Sequence, residues 1–126
     1  MHMSTQRPVY LDLRRIRQPV TAVVSVLHRL SGVLMVLAIP FATALFALSL
    51  RDVSGFRQAA EILASPLMAA LGLLLTWGLL HHLLAGLRFL LIDLDWGVTR
   101  RVARRSAWVV LVGALFITLI LAGVRA

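Results

Sequence analysis

Cysteine and lysine are both missing from this chain, and carboxylates are scarce. With no cysteine there is no disulfide, no thiolate metal site, no iron–sulfur ligation and no covalent c-type haem attachment. Any redox centre has to be held without a covalent bond to the protein. With no lysine there is no Schiff-base chemistry, and neither a Gly-rich phosphate loop nor a nucleophile elbow is present to point to nucleotide or hydrolytic chemistry. Only 14% of the 126 residues are charged while 60% are hydrophobic, and the mean hydropathy is +0.92. A water-soluble domain of this size cannot hide that much apolar surface. The formal charge of +8 comes from thirteen basic residues, all arginine, against five acidic ones. Most of the arginines lie outside the long apolar runs, which is the pattern of membrane topology and not of a nucleic-acid-binding face.

Three apolar runs, at 30–50, 67–92 and 107–124, reach the roughly 20 residues needed to cross a hydrocarbon core about 30 Å thick. They must be helices, because backbone polar groups in lipid have to be satisfied within the segment or in a closed barrel. The first run is too long for a signal-peptide core of about 7–15 residues. The expected fold class is therefore an all-α membrane protein with three transmembrane helices and one membrane-anchor domain over 1–126. Its parts are a tail at about 1–18, helix one at about 19–50, helix two at about 66–92 and helix three at about 106–124. Pro19 suits a helix start and Pro40 should bend helix one, while Ser65 and Pro66 form a cap and first-turn pair. The stretch 51–65 is compatible with a short surface helix. Arginines 7, 14, 15 and 17 before helix one, and four more at 100–105, outnumber Arg51 and Arg57 in the first loop. That bias predicts a cytoplasmic amino terminus and a periplasmic carboxyl terminus, with Trp96 and Trp108 at the cytoplasmic interface.

Histidine, arginine and a few hydroxyls are what remains for chemistry. His82 lies on the order of 16 Å along its helix from Asp93, near mid-membrane, at helical spacing from Gly78, Ala85, Gly86 and Phe89. Ionisable residues at that depth are costly and usually functional, and imidazole suits haem iron. The competing reading is a neutral histidine bonded to a neighbouring helix. His81, on an adjacent face with Arg88 two turns away, competes with His82, and the spacing leaves open which of the two turns inward. On helix one, Ser25 and Arg29 are one turn apart and share a face with His28 and Gly32. Together they suit a quinone head group or haem propionates, whereas a lone interfacial arginine such as Arg29 more often snorkels to lipid phosphate.

The stretch Arg7-Pro8-Val9, Leu13, Val20 and then Ser25-Val26-Leu27-His28-Arg29-Leu30-Ser31 resembles the succinate dehydrogenase cytochrome b (b556) membrane-anchor subunit family in residue type and spacing. So does His82 followed by Gly86-Leu87-Arg88 and Asp93. The resemblance covers essentially the whole chain, although helix three carries no motif. Phe89 stands where many members have a second histidine, and Ile92 where an aromatic residue or methionine is usual. The resemblance implies that His82 is an axial ligand of haem b, that His28 sits near the haem propionates, and that Ser25 and Arg29 line the ubiquinone site. No residue of the chain would be catalytic towards the dicarboxylate. A flavoprotein subunit, an iron–sulfur subunit and a second membrane-anchor subunit supplying the other haem ligand are the implied partners, within a larger heteromeric helix bundle.

The expected function is thus to anchor such a complex in membrane lipid and pass electrons from succinate oxidation to ubiquinone. A fumarate reductase anchor and a haem-free structural scaffold are the alternatives. A bacterial inner membrane is the expected location, since six residues before Arg7 leave no room for a mitochondrial transit peptide.

Overall fold

The computed structural model describes residues 17–125. The motif residues Arg7, Pro8, Val9 and Leu13, three of the topology arginines and most of the tail at about 1–18 lie outside the described residues. Four helices follow in order: α1 (Val20–Ser49), α2 (Val53–Ala64), α3 (Pro66–Asp93) and α4 (Arg100–Arg125). Among the described residues there is no strand, and α1, α3 and α4 are each long and apolar enough to cross a membrane. At 1.5 Å per residue α1 and α3 extend about 45 and 42 Å, well beyond a hydrocarbon core of about 30 Å. The chain is an all-α membrane protein.

Each helix starts and stops for local reasons. The Pro19 carbonyl accepts the Ala22 amide at 2.9 Å, so α1 begins one residue after the proline. Pro40 lies inside α1 without ending it. It removes one amide from the helix ladder, a loss that surrounding helices and side chains can accommodate in a membrane segment. Asp52 caps α2, its carboxylate accepting the Gly55 amide at 2.7 Å and the Ser54 hydroxyl. These two bonds hold the Asp52 carboxyl below its ordinary range. The cap is therefore fully formed above the usual carboxylate pKa and is lost as pH falls through the lowered value. Ser65 accepts the Met68 amide at 3.4 Å and Pro66 occupies the first turn of α3, where it needs no donor.

Between α3 and α4 the chain reverses through Asp95 and Gly97, both in the left-handed region at φ of 60° and 76°. The Trp96 amide bonds back to the Leu91 carbonyl at 2.9 Å. Helix α4 then starts at Arg100, six residues ahead of the start at about 106 expected from the sequence. The Thr99 carbonyl accepts the Ala103 amide at 2.8 Å, so the arginine stretch is already helical. Hydropathy marks where a helix enters lipid, and here the helix begins before that point.

Helix α3 packs against both α1 and α4, which also touch each other, while α2 lies against α1. The buried centre is small: Val24 from α1, Ala85 from α3, and Ala107 and Val110 from α4. Lipid tails are as apolar as leucine, so membrane helices associate through close packing and interhelical hydrogen bonds, and small residues are what allow the approach. One such bond set is Arg88 on α3, only 6% exposed, which donates from Nε to Ser106 Oγ at 3.0 Å and from a terminal nitrogen to the Ala103 carbonyl at 3.1 Å. It ties α3 to α4 with the bidentate reach that arginine has and lysine lacks.

Two outcomes test this packing by the melting midpoint of the detergent-solubilised protein. A Cβ at Gly55 would run into the Leu48 carbonyl, whereas among the described residues nothing lies within 4 Å of one at Gly72. Gly55→Ala should cost about 1–3 kcal/mol, as overpacking against backbone does, and Gly72→Ala should leave stability unchanged or raise it by up to about 1 kcal/mol. Arg88→Leu should lower the midpoint by the equivalent of about 1–2 kcal/mol, the usual worth of interhelical hydrogen bonds in membranes. The loss stays that small because Ser106 Oγ also reaches the Ala103 carbonyl, at 3.2 Å.

Candidate functional site

The chemistry-bearing side chains converge where α1 crosses α3. His28 and His82 stack there with ring centroids 4.0 Å apart and planes 17° from parallel. Glycines on both helices make the room. A Cβ on Gly32 would lie 3.1 Å from His82 Cε1, and one on Gly86 would lie 3.5 Å from His28 Nε2. Gly78, one turn away, faces Ser31 and Leu34 of α1. The small-residue stripe beside His82 is thus approached by α1 of the same chain. Phe89 closes one side, edge-on to His28 at 5.3 Å.

The hydrogen bonds at this seam fix the His82 ring. Its Nδ1 lies 3.0 Å from the His28 carbonyl oxygen and 3.3 Å from Ser31 Oγ. A carbonyl only accepts, so Nδ1 carries the ring proton and donates it. Ser31 Oγ in turn donates to the same carbonyl at 2.9 Å and offers its own lone pair to the shared proton. A neutral imidazole protonated at Nδ1 presents a lone pair at Nε2. Among the described residues no hydrogen bond engages that nitrogen. This pattern, one ring nitrogen held by a backbone carbonyl and the other free to bind, is how metal-ligating histidines are commonly oriented.

His81 and His82 turn to different places. His81 is fully buried inside the three-helix bundle, stacked on Trp77 with centroids 5.4 Å apart, and among the described residues neither ring nitrogen has a hydrogen-bond partner. The Val24 carbonyl approaches the ring outside hydrogen-bonding geometry. His82 sits at the α1–α3 seam, partly exposed. Arg29 is exposed on α1 and Ser25 is half-buried one turn before it. The structure brings His28 and His82 together, but among the described residues neither Ser25 nor Arg29 is hydrogen-bonded to that pair. Ser31 and Gly32 are the residues whose part in the site the spacing alone does not assign. Their signal was nonetheless in the sequence, as a hydroxyl and a glycine three and four residues after His28.

Comparison with known proteins places the chain in a family. The model of the family described as succinate dehydrogenase/fumarate reductase transmembrane subunit matches residues 3–121. The succinate dehydrogenase cytochrome b556 subunit of Coxiella burnetii is 33% identical over 124 residues, covering 97% of this chain and 98% of that protein. With three apolar helices and a match over nearly the whole length, this chain belongs to the succinate dehydrogenase/fumarate reductase transmembrane subunit family.

Proposed function

We propose that the chain is the cytochrome b membrane anchor of a succinate:quinone oxidoreductase, holding haem b through His82 and passing electrons from succinate oxidation to ubiquinone. The observation that carries this reading is the His82 tautomer: Nδ1 is committed to the His28 carbonyl, which leaves the Nε2 lone pair for iron. A bound haem b supplies one-electron chemistry within the membrane. The residues present fit such a group. His82 is at the edge of the chain's own bundle, whereas the His81 ring is enclosed by it. Two rings stacked face to face present their nitrogens side by side, so His28 and His82 do not bracket one iron. On this reading the second axial ligand comes from a second membrane subunit, and His28 serves the haem periphery near the propionates.

Ser25 and Arg29 are assigned to the quinone. A hydroxyl and a guanidinium one turn apart, at the α1 end that carries the arginine-rich stretch, can donate hydrogen bonds to quinone carbonyls. The dicarboxylate chemistry and the flavin belong to the soluble subunits, and an iron–sulfur subunit docks at the same arginine-rich end. The arginine asymmetry puts the amino terminus in the cytoplasm of a bacterial cell and the carboxyl terminus in the periplasm. The family description names fumarate reductase as well, and a membrane anchor running the reverse reaction would use the same residues. The name of the Coxiella burnetii relative favours the succinate-oxidising direction.

Two measurements test the assignment. In the assembled complex, His82→Leu should abolish the low-spin haem spectrum and lower haem content, while His81→Leu should keep both. The opposite result would move the ligand to His81, and a wild-type complex with no haem band would leave a scaffold. Arg29→Leu should depress quinone reduction by about one to two orders of magnitude, the worth of a charge-assisted hydrogen bond of about 1.5–3 kcal/mol, with succinate oxidation by a soluble dye retained. Equal loss in both assays would point to failed assembly.

A further inference from the structure

Four of the arginines take no part in holding haem or quinone. Arg100, Arg101, Arg104 and Arg105 occupy the first two turns of α4, and the first turn holds no acidic residue. This is an unfavourable arrangement for an isolated chain. Cations at a helix amino terminus oppose the helix dipole, and like charges at i and i+4, as Arg100 with Arg104 and Arg101 with Arg105, repel. Among the described residues no carboxylate forms an ion pair with any of them. Among the described residues nothing offsets this charge, and an anion bound from the membrane would do so.

The shape beside these arginines says which kind. A groove of about 640 Å³ runs between the start of α1 and the first three turns of α4. Arg100 and Arg104 line one end of it, and Trp108 and Leu111 continue the same wall along α4. Pro19, Val20 and Val23 form the facing wall. From Arg100 to Leu111 is about 16 Å along the helix axis. The lining changes along that distance from guanidinium to indole to aliphatic side chains, which is the polarity gradient from the phosphate layer through the aromatic belt into hydrocarbon. A second groove of about 600 Å³, lined by all four arginines and Trp108, adjoins it and widens the cationic end.

We propose that this groove binds an anionic glycerophospholipid, its phosphate between the Arg100 and Arg104 guanidiniums and an acyl chain against Trp108 and Leu111. A free phosphate would use only the cationic end. A zwitterionic lipid would fill the apolar wall and leave the excess positive charge uncompensated. An anionic lipid satisfies both ends, and guanidinium forks match phosphate geometry. Basic pockets between membrane helices recognise lipid headgroups in this way, and each arginine near an anionic membrane surface contributes about fivefold in affinity. The inference does not depend on haem or quinone.

The test is native mass spectrometry of the complex purified with this chain, stripped of lipid and titrated with phosphatidylglycerol or with phosphatidylcholine of the same acyl chains. The wild-type complex should hold phosphatidylglycerol at least tenfold more tightly than phosphatidylcholine. Arg100→Gln with Arg104→Gln should lose that preference, weakening phosphatidylglycerol roughly tenfold to thirtyfold, while Arg51→Gln with Arg57→Gln in the other loop should not. If the double variant fails to accumulate, Arg104→Gln alone should weaken binding about fivefold, with Arg104→Lys recovering most of the loss. Equal binding of the two lipids, retention of phosphatidylglycerol within twofold in the double variant, or glycerol 3-phosphate binding as tightly as the intact lipid would each overturn the proposal. So would loss of a copurifying protein subunit from the double variant with lipid binding intact, which would make the groove a protein interface.

Discussion

The hydrogen bond from His82 Nδ1 to the His28 carbonyl oxygen is the contact on which the α1–α3 seam depends. It needs a helix carbonyl with a lone pair to spare, a hydroxyl beside it in Ser31, and backbones close enough for an imidazole on one helix to reach the main chain of the other. Gly32 supplies the closeness, since a Cβ there would press on the His82 ring at 3.1 Å, while at Gly86 one would only meet His28 in ordinary contact at 3.5 Å. In water such a bond would compete with solvent. Inside a bilayer no water competes, and the helices gain nothing from hydrophobic burial against one another, so packing and polar contacts of this kind decide how they dock.

The bundle handles its other buried polar groups differently. Arg88 is tied off on Ser106 and the Ala103 carbonyl and joins α3 to α4, whereas His81 is enclosed and, among the described residues, both its nitrogens lack a partner. Leaving buried polar atoms without partners costs about 1–3 kcal/mol each. The stacking of His81 on Trp77 replaces some of that loss with aromatic contact. The two histidines are neighbours in sequence, yet one is enclosed by its own chain and the other is held at its margin. Consecutive helical residues differ by about 100° in direction, and that rotation is all that separates the two environments.

This is also why the sequence shows so much of the fold and less of the site. Three spans, and the all-α membrane class they imply, follow from run length alone, because lipid sets the length and helices are the solution. The start of α4 is hidden, since Arg100 to Arg105 are polar residues in a helix that has not yet reached hydrocarbon. The histidine pair shows its depth but not its phase. Hydropathy gives little help there, because in lipid the outward residues of α3 are as apolar as the inward ones, and Leu79, Leu83, Leu87 and Leu90 are all exposed. Ser31 and Gly32 become meaningful only once α3 is laid against α1, which no local pattern specifies.

The same inversion bears on where a neighbouring subunit belongs. Exposed leucines and phenylalanines on α1, α3 and α4 ask for no protein cover, since acyl chains satisfy them. Polar groups at membrane depth do ask for it, because lipid offers neither donor nor acceptor. Among the described residues the imidazoles that reach the outer surface of this bundle collect at the margin of the α1–α3 seam, where His82 and His28 are partly exposed and Arg29 follows on α1. The buried polar residues of the α3–α4 side, Arg88 and Thr118, are already bonded within the chain. On the proposed reading, a second membrane subunit with its own haem ligand therefore packs over the seam, and α4 turns its outer face to lipid.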